Sequence, residues 1–185
     1  MILRLSKYAL NAFIFFSSVV AIADSKSYEQ KALEVFDSAC VRNINGEAGL
    51  ADIATHFGGK EIDKEKLKFD PVMKSLGGRG FVIPYFNEKY IVIQATSGGC
   101  TLIVEKSNNE KIINIIKKNY PLKLAHTESS GIQITNTFIV KKESTLKDNV
   151  IIISFGKSET EFNIGMIGFV TKEALKKTMQ NEKKF

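Results

Sequence analysis

The sequence predicts an α+β fold: N-terminal helices packed on a mostly antiparallel sheet, in a single domain that follows a cleaved signal peptide. Three observations carry this. Between Ser27 and Phe57 the apolar residues recur three and four apart, the spacing of one helical face. From Gly80 onward the apolar period changes to two, interrupted by short turn segments. Helices therefore lead and strands dominate afterwards, which is the order of an α+β domain rather than the alternation of a parallel sheet.

The first residues read as an export signal. Arg4 and Lys7 form a short basic region, followed by an apolar stretch from Tyr8 to Ile22 with Phe13–Phe16 at its centre. Ala21 and Ala23 are the small residues that signal peptidase accepts, so residues 1–23 are removed and the domain spans 24–185. The alternative is a retained anchor. The stretch is shorter than the roughly 20 residues of a spanning helix and is interrupted by Asn11, Ser17 and Ser18. Cleavage lowers the formal charge from +6 to +4, because Arg4 and Lys7 are lost and no acid is.

Each element of the mature chain has its own signal. Ala32, Val35, Phe36, Ala39 and Cys40 make one stripe of a first helix, with Ser27 as its cap and Glu29 in the first turn. Asn45–Gly46 ends it. Leu50, Ile53, Ala54 and Phe57 mark a second helix, stopped by Gly58–Gly59. The polar stretch that follows holds two short helices, near Asp63–Leu67 and Pro71–Leu76. Strands on either side of an Asn87–Glu88 turn, and a third beginning at Cys100, form an antiparallel meander from Phe81 to Glu105.

A further helix carries Ile112, Ile113 and Ile116, with Ser107 and Glu110 as a capping box and Pro121 beyond its end. The remaining strands are Leu122–Thr127, Ile132–Lys141, Asn149–Phe155 and Phe162–Val170. Thr171 caps a closing helix that contains Leu175 and Met179.

The mature chain has two cysteines, and their surroundings decide between a nucleophile, a metal ligand and a staple. Cys40 lies on the apolar stripe of the first helix, and Cys100 shares a strand face with Leu102 and Val104. An even cysteine count in an exported chain points to pairing. Closing a loop of about sixty residues stabilises by roughly 4 kcal/mol in the chain-entropy model. A thiol nucleophile would want a histidine base and partial exposure, yet neither His56 nor His126 is near a cysteine in sequence. Two cysteines and two histidines at these separations match no short-spaced zinc motif. The expected site is therefore a Cys40–Cys100 disulfide, with no metal and no cofactor.

Other motifs are weaker. The loop Leu76–Phe81 bares backbone amides at Gly78 and Gly80 and offers Arg79 to an anion, which makes Gly78, Arg79 and Gly80 a candidate ligand or partner loop. It lacks the lysine and hydroxyl of a P-loop, and its ordinary role is a flexible lead into a strand. His126–Gly131 groups a histidine, a glutamate and two serines, but outside any nucleophile elbow, and reads as a hairpin turn. Ser158–Phe162 offers two carboxylates in a surface turn and no third acid for calcium. Lysine pairs are spread along the chain without interleaved aromatics, so no nucleic-acid surface is expected.

The stretches Phe36–Cys40, Gly49–Gly58, Gly77–Ile83 and Ser97–Val104 together resemble a family of small exported proteobacterial proteins of uncharacterised function. The resemblance covers roughly Phe36 to Tyr120 and rests on Cys40, Gly80, Gly99 and Cys100. The chain departs from it in the polar stretch Lys60–Asp70 and in lacking tryptophan. It implies an exported α+β domain with Cys40 paired to Cys100, and no activity. Taken together, the sequence predicts a periplasmic or secreted, stapled protein that binds another envelope or secreted protein. Immunity, inhibition and an accessory role in a secretion apparatus all fit. A small-ligand or lipid-like carrier, with a pocket between the first helix and the sheet, is the alternative. A small hydrolase built on His126 with Glu128, or on Glu159 and Glu161, is the third reading.

Overall fold

The computed structural model describes residues 26–43, 47–67, 77–96, 98–105, 108–131, 133–141, 144, 146, 148–156 and 164–176. The expected signal peptide, the helix near Pro71–Leu76, Met179 and the Ser158–Phe162 turn lie outside these residues.

Helix α1 (Tyr28–Phe36) starts where the sequence stops resisting a helix. Ser27 accepts the Gln30 backbone N–H and Gln30 reaches back to Ser27 N at 2.8 Å, so two otherwise orphaned donors are satisfied. The helix then widens into a π turn, Asp37–Val41, in which Arg42 N–H bonds the Asp37 carbonyl five residues back at 2.8 Å. The broader turn buries Ala39, Cys40 and Val41 together. Helix α2 (Glu47–His56) packs on this turn and on strands β1 (Lys60–Glu61) and β2 (Arg79–Tyr85). Among the described residues between these two strands lies one helical turn, α3 (Lys64–Leu67).

Strands β2, β3 (Glu88–Gln94) and β4 (Gly99–Glu105) form the expected meander. The β2–β3 turn is Phe86–Asn87 rather than Asn87–Glu88, because Tyr85 pairs directly with Glu88. Helix α4 (Asn109–Asn119) carries the chain to the far edge of the sheet. Its cap is Asn108, which accepts the Lys111 N–H at 2.9 Å, and not the expected Ser107. Strands β5 (Leu122–Ser130), β6 (Gln133–Val140), β7 (Val150–Gly156) and β8 (Ile164–Val170) follow. The short β1 is an addition to the expected set, and His126–Ser130 is strand rather than turn.

The strand order is β1-β2-β3-β4-β8-β7-β6-β5, antiparallel throughout. Two four-strand meanders thus meet where β8 returns beside β4. Helix-facing rows run across the seam: Val92 opposite Leu102, Leu102 opposite Ile167, Ile167 opposite Ile153. Phe36, Ile112 and Ile116 from the helices close over these residues in one core. Burying a side chain of this size is worth about 1.5–3 kcal/mol each. On the second sheet face Val82, Ile91, Ile93, Ile103 and Ile152 are half-buried, and Ile62 and Leu67 lie over Gly80.

Cys40 and Cys100 form a disulfide across the layer, each 2% exposed, joining the π turn to the start of β4. Removing it as Cys40→Ala with Cys100→Ala should lower unfolding free energy by about 4 kcal/mol in a urea titration. A loss near zero would show that helix packing alone holds the layer.

Candidate functional site

Arg79 opens β2, and its guanidinium is committed to Glu61 on β1 through Nε to Oε1 at 2.8 Å and Nη2 to Oε2 at 2.7 Å. Its charge also lies 5.1 Å from the Phe81 ring centre. These bonds hold the Glu61 carboxyl below its ordinary range. Gly78 has φ +119°, and a Cβ there would sit 2.1 Å from the Gln94 carbonyl oxygen. At Gly80 a Cβ would lie 3.0 Å from Leu67 Cδ2. The glycines permit close packing, and the arginine ties the shortest strand to its neighbour. Exposed His56 ends α2, with its ring edge-on to Phe57, while exposed His126 pairs with Thr137 in β5.

The described residues that do converge were not singled out by sequence. A cleft of about 560 Å³ opens beside the π turn, lined by Lys26, Glu34, Asp37, Arg42, Tyr85 and Tyr120 among others. Glu34 and Asp37 stand three apart, so α1 and the π turn present both carboxylates to one side. Each takes a tyrosine and a cation. The Tyr85 hydroxyl donates to Glu34 Oε2 at 2.6 Å, and Lys26 Nζ reaches Oε1 at 2.6 Å. The Tyr120 hydroxyl donates to Asp37 Oδ1 at 2.7 Å, and Arg42 Nε pairs with Oδ2. Tyr85 comes from the end of β2 and Tyr120 from the end of α4, so the cleft exists only once helix, sheet and crossover have met.

The protonation states follow from this pairing. Burial opposes ionisation of Glu34, but the hydrogen bonds from Lys26 and Tyr85 outweigh it and its carboxyl sits below the ordinary range. The Tyr85 phenol is pushed up to about 12, first by its bond to Glu34 and then by burial. Tyr120 is raised as well, by burial first and then by its bond to Asp37. At neutral pH the cleft therefore presents an ionised Glu34, protonated phenols and two cations. Such an array recognises hydrogen-bonding groups by fixed geometry.

The cleft is flanked by an aromatic hairpin tip. Phe86, 48% exposed, adopts φ +46°, a backbone region that favours glycine. The ammonium groups of Lys31 and Lys26 lie 5.4 and 6.0 Å from its ring centre, and Tyr85 meets it edge-on at 4.7 Å. Glu34 and Asp37 carried a weak sequence signal in their spacing on a predicted helix. No local signal brings Tyr85 or Tyr120 to them, more than fifty residues downstream.

Compared with known proteins, the chain matches no protein-family model, no curated protein and no solved structure.

Both tyrosine pairs give pH a defined sign. Glu34 is lowered on folding, so its contribution is present above the unfolded carboxylate range and is lost as pH falls through the folded value. Tyr85 is raised, so its contribution is complete below the unfolded phenol value and is lost as pH rises towards about 12. Melting curves should therefore lose stability at both extremes. Glu34→Gln should flatten the acid limb, and Tyr85→Phe part of the alkaline limb. Tyr120→Phe should cost about 1.5–3 kcal/mol at pH 7, since it removes a hydrogen bond to a charged group. An unchanged acid limb in Glu34→Gln would show that the pair is not held in solution.

Proposed function

We propose that the protein is exported and acts by binding another envelope or secreted protein through the open edge of its sheet. One observation carries the reading: β5 is an outermost strand nine residues long, and every residue from Lys123 to Ser130 is exposed. Its only strand neighbour among the described residues is β6, so alternate backbone N–H and C=O groups face outward. An added strand would pair with them. Leu124, 52% exposed, and Ile134 and Ile139 on β6 supply apolar contacts beside that edge. Lys123, His126 and Glu128 lie on the opposite sheet face from Leu124, after the register shift between Leu124 and His126, and supply polar selectivity.

Export is supported by the basic, apolar and small-residue pattern of residues 1–23 and by a buried disulfide, a bond that oxidising compartments preserve. The opposite edge of the sheet is unlike β5. Strand β1 has two residues, both charged, and Glu61 is tied to Arg79. Short, charged edges resist pairing with another chain.

A second reading rests on the cleft. The sequence offers a small-ligand or lipid-like carrier as an alternative, and the cleft's carboxylates, phenols, Lys26 and Arg42 suit a small polar ligand better than a lipid-like one, because its mouth is ringed with charges.

The test uses the full chain expressed in a bacterium with a C-terminal tag. The recovered protein should begin at Asp24 and take up no alkylating label until it is reduced. It should retrieve one envelope or secreted protein in stoichiometric amount. Proline placed at β5 positions whose N–H points away from β6 should abolish retrieval while the melting temperature stays within a few degrees. Retrieval that survives every such proline would sink the edge reading. A bound polar small molecule in native mass spectra, with no protein partner, would favour the cleft.

A further inference from the structure

A second, smaller cavity lies beside the disulfide. It measures about 60 Å³ and is lined by Cys40, Asn43, Gln94, Gly98, Cys100, Phe169 and Thr171. The lining comes from the end of the π turn, the end of β3, the start of β4 and the exit of β8, so four separate segments share its walls. Gln94 is the unusual member. It is 3% exposed on a helix-facing strand row whose other members, Val92 and Tyr90, are aromatic or aliphatic.

The orientation of the Gln94 amide is fixed by its neighbour. Gly99 presents a carbonyl oxygen 3.1 Å from Nε2, and a carbonyl can only accept, so the nitrogen must face it. Oε1 is thereby turned the other way. No described protein donor reaches it. A buried carbonyl oxygen without a donor is strongly disfavoured, and nearly all such groups find a protein or solvent partner.

The lining says what that partner is. The space is ample for one or two water molecules, each of which needs at least about 10–15 Å³ of it. None of the described lining side chains carries a charge, so a buried cation would find no neutralising group among them. The occupant must donate to Gln94 Oε1 and find further polar partners. Thr171 offers them: its Oγ1 accepts the Ala174 N–H at 3.1 Å, and its own hydroxyl proton is left to turn towards the cavity. Asn43 is also in the wall.

We infer that this cavity is a buried water site, in which one or two ordered waters donate to Gln94 Oε1 and bridge it to Thr171 and Asn43. The water then joins β3, the end of the π turn and the exit of β8 at the point where the disulfide joins the π turn to β4. The polar residue in an apolar strand row has a purpose: it holds solvent that ties β3 and the exit of β8, two segments that carry no cysteine, to the stapled π turn.

The decisive measurement is a crystal structure of the oxidised mature protein at about 1.5 Å or better. The expected result is a solvent peak within about 2.7–3.2 Å of Gln94 Oε1, with a second polar partner in the same range. A dry cavity, a protein donor seated directly on Oε1, or a cation in the site would each overturn the inference. In solution, oxygen-17 relaxation dispersion should count at least one long-lived water that is lost in Gln94→Met. If that variant does not fold, Thr171→Val serves instead and should shorten the residence time. A count that stays the same in the variant that folds would also overturn it.

Discussion

Everything in this molecule depends on covering one face of an eight-stranded antiparallel sheet with a single layer of helices. A sheet this wide exposes long apolar rows, and burying them supplies most of the available stabilisation. The helices that do the covering come from two places in the chain, before the sheet and in its middle. The disulfide fixes the first group at the π turn. Helix α4 is held from both ends by its own topology, since it must carry the chain from β4 to the far edge. Where these two groups meet, Tyr120 reaches Asp37 and the polar cleft forms.

The same constraint explains where the surface is unusual. Helical cover is deepest over β3, β4 and β8, where Val92, Leu102 and Val104 are wholly buried, and it thins towards β5. Lys117 still lies over the Phe138 ring on β6, but one strand further out Leu124 is half open to solvent. An edge strand beyond the reach of the helices has no apolar layer to hold it, which is why β5 can be polar and exposed along its length. The bulge between Leu124 and His126 changes which side chains share a face, so one strand offers an apolar contact at one end and a mixed-charge row at the other.

Much of the architecture was legible because it rests on short-range periodicity. The stripe Ala32–Cys40, the alternation of Phe81–Ile93 and the run Cys100–Val104 all appear as expected, and so does Thr171 as a cap. Errors fell where several local solutions compete. Ser107 and Asn108 are both good caps, and packing of α4 selects the second. Asn87–Glu88 looks like a turn, but the strand register places Phe86 at the tip despite its positive φ. His126–Ser130 is rich in turn formers, yet pairing with β6 draws it into a strand. The candidate site was hardly legible at all, because Glu34, Asp37, Tyr85 and Tyr120 come from three elements and share no motif.

By itself the sequence determined the order and type of most elements, the burial of both cysteines and their pairing. These follow from which side chains can face water and from the chemistry of an even thiol count. The tertiary structure alone decided the strand order, the return of β8 to the centre, the π turn, and the meeting of phenols with carboxylates across the helix layer. Those depend on which surfaces are complementary when several elements pack at once. No window of the chain holds that information, because the partners lie up to 83 residues apart and are selected by shape rather than by spacing.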